Sequence, residues 1–131
     1  MEEQIFSQSI SQIDRLLKTA KQKYEIHLAL LHEQEAKECD ILHDLELNPH
    51  NAVELVQLSI QLRDVLRTRR YHKDKTALYK PLVQYMNDPV NTKAVGRFSQ
   101  LISELKKEET YQSGRTYKKR YHHASQNTTE D

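Results

Sequence analysis

The amino-acid sequence predicts an all-α protein: a long antiparallel helical hairpin plus one or two shorter helices, elongated and dimeric, with a disordered basic and polar C-terminal tail. Two glycines and three prolines in 131 residues leave few helix breakers. Apolar residues recur at steps of three and four, the spacing of one helical face. Hydrophobic residues make up 37% and charged residues 30%, which is enough apolar material to fold, but only into thin amphipathic elements. The expected division is a helical domain over 1–109 and a flexible tail over 110–131.

No glycine or proline occurs from Met1 to Asn48. Phe6, Ile10, Ile13, Leu17, Ala20, Tyr24, Leu28 and Leu31, then Cys39, Leu42 and Leu45, trace one stripe of a first helix. Asn48-Pro49 ends it, because the residue before proline is pushed out of helical geometry. Asn51-Ala52-Val53-Glu54 has the form of a capping box and starts a second helix. Leu55, Leu58, Leu62, Val65 and Leu66 form its stripe, flanked by Val53, Val56 and Ile60, so the apolar arc is wide over the first three turns. From Arg67 to Thr76 only Tyr71 is expected to be buried. Lys80-Pro81 marks an end or kink, and Leu82, Val83, Tyr85 and Met86 form a further short turn. Asp88-Pro89 signals another start, with Val95, Phe98, Leu101, Ile102 and Leu105 on one face and Gly96 inside the pattern.

A helix of some 43 residues would be about 65 Å long, whereas a compact globule of this chain length has a radius of gyration of about 14 Å. Either the first helix breaks in its polar middle, His32 to Asp40, or the molecule is elongated and exposes apolar surface for a second copy.

One cysteine excludes a disulfide framework and a thiolate zinc cluster. No segment approaches the ~20 apolar residues of a membrane span, and the acidic start does not read as a signal peptide. The expected location is the cytoplasm, with no membrane partner.

The near-neutral net charge of +1 hides an asymmetry. Residues 1–47 hold ten acids and five bases, and residues 48–106 hold five acids and ten bases. The densest basic run is Arg63, Arg67, Arg69, Arg70, His72, Lys73 and Lys75, interleaved with Tyr71. Arg63, Arg67, Arg69, Arg70, Tyr71, Lys73 and Lys75 are the candidate partner-binding residues, with Arg67, Arg69, Arg70 and Tyr71 as anchors for a protein partner. A second run, Arg115, Tyr117, Lys118, Lys119, Arg120 and Tyr121, combines cations and rings, the needs of single-stranded nucleic acid.

Little else carries chemistry. Glu35, Cys39 and His43 form an i, i+4, i+8 column of competent metal donors, but no ligand set is complete, and neither metal nor cofactor is expected. His43-Asp44 echoes the His-Asp pair of helical metal-dependent phosphohydrolases, with His27, His32, Asp64 and Asp74 as free choices for further ligands. Glu35-Ala36-Lys37-Glu38 resembles half the paired-carboxylate motif of all-helical nucleotide pyrophosphohydrolases. Where the second half needs Glu-x-x-Asp, the chain has Gln61-Leu62-Arg63-Asp64, and an amide replaces a magnesium ligand. The alternative of a hydrolase centred on Glu35, Glu38, His43 and Asp64 is weakened accordingly. The two glycines stand 18 residues apart, so no glycine loop cradles a phosphate. The chain reads as non-enzymatic.

Residues 41–47 (Ile41-Leu42-His43-Asp44-Leu45-Glu46-Leu47), Asn51-Ala52-Val53-Glu54, the run Leu62-Arg63-Asp64-Val65-Leu66-Arg67-Thr68-Arg69-Arg70, Lys73-Asp74-Lys75 and Pro81-Leu82 together look familiar. Over about residues 38–86, and in Arg115-Thr116-Tyr117-Lys118, the chain is similar to short helical accessory proteins of phages and prophages of Gram-positive bacteria. That resemblance implies a protein acting inside the host by binding a host factor, a nucleic acid or a defence component. It supplies no catalytic residues.

Overall fold

A computed structural model describes residues 5–117. Within them the chain is all-helical: α1 (Ile5–Leu47), α2 (Ala52–Asn87), α3 (Pro89–Gly96) and α4 (Phe98–Gly114). The first helix does not break in its polar middle. Its 43 residues form one rod about 65 Å long, so the elongated alternative is the one the molecule adopts.

The turn after α1 is built by local polar contacts. Asn48 donates from its side-chain amide to the Asp44 carboxylate at 2.6 Å. The Asn51 side chain accepts from the Glu54 N–H at 2.9 Å, capping α2 as the sequence predicts. The chain then returns antiparallel to α1.

On α2 the inward positions are Leu58, Leu62, Val65, Arg69, His72, Thr76, Tyr79, Val83 and Met86, all buried or half-buried. Steps of four and three alternate without exception, the 3.5-residue repeat of a two-stranded coiled coil. The facing positions on α1 are Ile10, Asp14, Leu17, Ala20, Tyr24, His27, Leu31, Gln34, Glu38, Ile41 and Leu45.

Two expectations fail on this seam. Phe6, Ile13, Cys39 and Leu42 were placed on the apolar stripe of the first helix, yet all four are exposed, as are Leu55 and Leu66 from the stripe of the second. The 3.5-residue repeat places Gln34, Glu38 and Ile41 against α2 instead. In the second helix His72 is buried and Arg69 half-buried, whereas Tyr71, the residue expected inside, is exposed. The seam position falls on His72, and Tyr71 lies one residue off it.

Pro81 neither ends α2 nor separates a further turn, because the helix runs through it to Asn87. Pro81 and Ala77, whose carbonyl loses its partner N–H, are both exposed, so solvent can satisfy that carbonyl. Half-burial of Leu82, Val83 and Met86 beyond the proline offsets its cost of about 3 kcal/mol.

Asp88 caps α3 by accepting from the Val90 N–H at 3.0 Å. Asn91 and Thr92 donate back to the Tyr85 and Met86 carbonyls at 3.0 and 2.6 Å, closing the end of α2. The single helix expected from Pro89 onward is divided at Arg97, immediately after Gly96. Val95 is buried at this joint. The chain then continues along α1 toward its beginning as α4, which extends to Gly114, five residues beyond the expected domain limit. Lys18 of α1 bridges Asp14 and Ser99, each at 3.1 Å. The Ser7 N–H in the first turn of α1 donates to Glu109 of α4 at 3.3 Å, a carboxylate where the helix dipole favours one. The tail from residue 118 lies outside the described residues.

Among the described apolar residues only Ala20 and Val95 are fully buried. The two-stranded seam therefore rests on half-buried side chains, each contributing about 1 kcal/mol rather than the 2–3 of a closed core.

Candidate functional site: the basic face of the second helix

Seven residues of α2 were expected to form one partner surface, and the fold distributes them over three places. Arg63, Arg67 and Arg70 follow at i, i+4 and i+7 and share a face. With Ser59 and Arg69 they line a shallow groove that also includes Leu62 and Leu66. Arg63 has only a distant 4.0 Å contact with its neighbour Asp64. No carboxylate among the described residues lies within ion-pair distance of Arg67 or Arg70.

Arg69 turns the other way. Its Nε lies 3.5 Å from Glu38 Oε2 across the seam, and both side chains are about three-quarters covered. This contact is an ion pair without a hydrogen bond to that nitrogen, since Nε finds no aligned acceptor. Glu38 is thereby committed to the hairpin. Tyr71 and Lys75 occupy the opposite flank, the Lys75 ammonium 5.7 Å from the Tyr71 ring centroid. Lys73 is exposed.

The second basic run lies almost wholly outside the described residues. Arg115 and Tyr117 fall inside them, and the Arg115 guanidinium sits 6.0 Å from the Tyr111 ring centroid. Lys118, Lys119, Arg120 and Tyr121 fall outside.

The residues nominated for hydrolysis do not converge. Asp64 lines a shallow groove with Lys37, Asp40, Ile41, Gln61 and Val65, while Glu38 is bound to Arg69. In the possible metal column, Cys39 Sγ and His43 Nε2 are 4.0 Å apart on an exposed surface. Among the described residues no three His, Cys, Asp or Glu side chains group around a common point.

Two histidine arrangements emerge only in three dimensions. His27 and His72 meet across the seam with their Nδ1 atoms 2.9 Å apart, so one ring donates and the other accepts. Tyr79 stacks on His27 at 5.8 Å, and Tyr71 meets both rings edge-on. Burial, then the proximity of His72, Lys75 and Lys23, holds His27 below the usual imidazole range. The signal in the sequence was the seam spacing of Tyr24, His27 and Leu31, which apolarity alone does not reveal.

At the hairpin turn His50 does the opposite. One ring nitrogen contacts the Asp44 carbonyl at 3.0 Å and the other contacts Glu54 at 3.1 Å. The Asp44 carbonyl and the Glu54 carboxylate raise its pKa above the ordinary value.

No helix among the described residues is long and apolar enough to cross a membrane. No protein-family model matches the chain, and neither a curated protein nor a solved structure matches it.

Proposed function

We propose that the chain is a non-enzymatic helical interaction protein, of the phage accessory type that residues 38–86 resemble, which engages a protein partner in the host cytoplasm through the basic face of α2. The observation that carries this reading is the groove that Leu62 and Leu66 line together with Arg63, Arg67 and Arg70. Leucines beside arginines suit an amphipathic helix flanked by acidic residues. The leucines exclude water, and each guanidinium can grip a carboxylate in bidentate fashion. Among the described residues Arg67 and Arg70 meet no carboxylate, which leaves both available to a partner. Tyr71, Lys73 and Lys75 extend the same helix beyond the groove. The mechanism is occlusion or recruitment of the partner, without bond making.

The test is capture of host proteins by the full chain, followed by titration of the captured partner against the Arg70→Glu/Lys73→Glu double variant. The expected result is a loss of at least tenfold in affinity, with helix content by circular dichroism unchanged. Equal affinity for the two proteins would remove the groove from consideration. A generic single-stranded oligonucleotide serves as the second ligand. Tight binding that weakens steeply with salt would move the reading to nucleic acid.

A further inference from the structure

The middle of the seam is held by two imidazoles rather than by apolar side chains. His27 of α1 and His72 of α2 both occupy seam positions, and their Nδ1 atoms lie 2.9 Å apart. His72 is 9% exposed, so the contact is made inside the hairpin and not on its surface. Tyr79 stacks on His27 at 5.8 Å, while Tyr71 meets His27 at 5.9 Å and His72 at 5.1 Å, each edge-on.

Proton counting limits this contact. At 2.9 Å one facing nitrogen carries hydrogen and the other presents a lone pair. One added proton is tolerated, because an imidazolium still donates to its neutral neighbour. A second added proton leaves an N–H on both facing nitrogens and no acceptor between them. The hydrogen bond then becomes a like-charge contact in a partly buried site.

The surroundings do not absorb that charge. Lys23 on α1 and Lys75 on α2 act on His27 with the same sign. Among the described residues no carboxylate, those of Glu25 and Asp74 included, lies within ion-pair distance of either ring. Arg69, one turn nearer the hairpin turn, is taken by Glu38. Tyr24, Tyr71 and Tyr79 are phenols, which stay neutral in acid. Among the described residues α4 bonds to α1 at Ser7 and Lys18, well short of His27, and brings no countercharge to it.

We propose that the His27–His72 pair is an acid-operated latch: the second added proton parts α1 from α2 in the middle of the rod, while the apolar seam near the turn stays closed. Burial, then His72, Lys75 and Lys23, hold His27 below the ordinary 6.5, so the latch is shut at neutral pH and opens on the acid side of that value. The turn survives the change. His50 gains from the Asp44 carbonyl and Glu54 in its charged form, so acid secures the end of the hairpin while it loosens the centre. Opening is therefore local. It uncovers His72 as a new cation on the helix that already carries the basic face. The inference concerns the hairpin itself and does not depend on which partner that face takes.

The experiment places spin labels on the full chain in a Cys39→Ser background, since native Cys39 is exposed and would take a label. Ala29→Cys/Lys73→Cys spans the middle and Glu46→Cys/Gln57→Cys spans the seam near the turn, all at exposed positions. From about pH 7.5 to about pH 5 the middle distance is expected to lengthen by about 5 Å or more, as the helices leave their packing distance of about 8–10 Å. The turn distance is expected to stay the same. In His72→Gln the middle distance is expected to stay short at both pH values, since an amide can pair with His27 in either charge state. An unchanged middle distance in the parent overturns the inference, including the case in which one ring escapes to solvent with the helices still packed. Equal lengthening at the turn and the middle overturns it, because that is global unfolding. Opening of His72→Gln at the same pH as the parent overturns it too. The imidazole nitrogen resonances of the parent give a readout that needs no substitution at His72. Coupled titration of His27 and His72, with the second step coinciding with the lengthening, supports the latch, and independent titration overturns it.

Discussion

The hairpin is built in two unlike ways along its length. Near the turn the seam is apolar, with Ile41 and Leu45 of α1 facing Leu58, Leu62 and Val65 of α2, and the apolar surface extends around the outside of α2. In the middle of the rod the seam is polar, with Gln34, the Glu38–Arg69 pair and the His27–His72 contact in place of leucines. The apolar region contributes adhesive surface in excess of its own needs. The polar region contributes little net stability but specifies register, because sliding the hairpin by one heptad would separate each charge and ring from its partner. The molecule is thus adhesive at one end and precise in its centre.

Mutations should separate the two regions by sign and size. The largest effect is expected from Leu62→Ala near the turn. It removes a half-buried side chain from the apolar stretch of the seam, costing about 2 kcal/mol, or roughly 8 °C in Tm by circular dichroism. In the polar middle Glu38→Ala should cost about 1 kcal/mol, because the Arg69 cation stays half-buried without its anion. Replacing both members, as in Glu38→Leu/Arg69→Leu, should restore the urea midpoint to that of the parent or above it. If the double replacement destabilised more than Glu38→Ala, the middle would be adhesive too, and the contrast would fail.

The sequence made the layout readable where a residue acts on its own backbone. Asn48-Pro49 stops a helix, Asn51 caps the next, and Asp88-Pro89 opens another without reference to distant residues. Pro81 misled for the same reason: its local preference to break is real, but half-burial of Leu82, Val83 and Met86 beyond it outweighs that preference. The seam beyond Leu31 was misread because apolar character pointed to Cys39 and Leu42. Which face meets α2 depends on the supercoil, which only the partner helix reveals. At the candidate site the basic run of α2 was visible as composition. Its division into a groove set of Arg63, Arg67 and Arg70, an inward Arg69 and an opposite Tyr71–Lys75 flank required knowing where α1 lies.

The smallest predicted effects are the most discriminating, because the two regions respond to acid in opposite directions. His27 in the middle has a lowered pKa, so protons bind the unfolded chain preferentially. Its contribution is fully present above the unfolded value of 6.5 and is lost as pH falls from there through the lower folded value, when the charge must be buried beside His72, Lys75 and Lys23. His50 at the turn has a raised pKa, set by the Asp44 carbonyl and Glu54. Its contribution is fully present below 6.5 and disappears as pH rises through the higher folded value. Urea midpoints measured from about pH 5 to about pH 8 should therefore diverge in two variants. His27→Gln is expected to flatten the loss of stability on the acid side. His50→Gln is expected to steepen it, because the stabilisation that protonated His50 gains from the Asp44 carbonyl and Glu54 is gone. Parallel pH profiles for the two variants would show that the turn and the middle do not titrate as separate units.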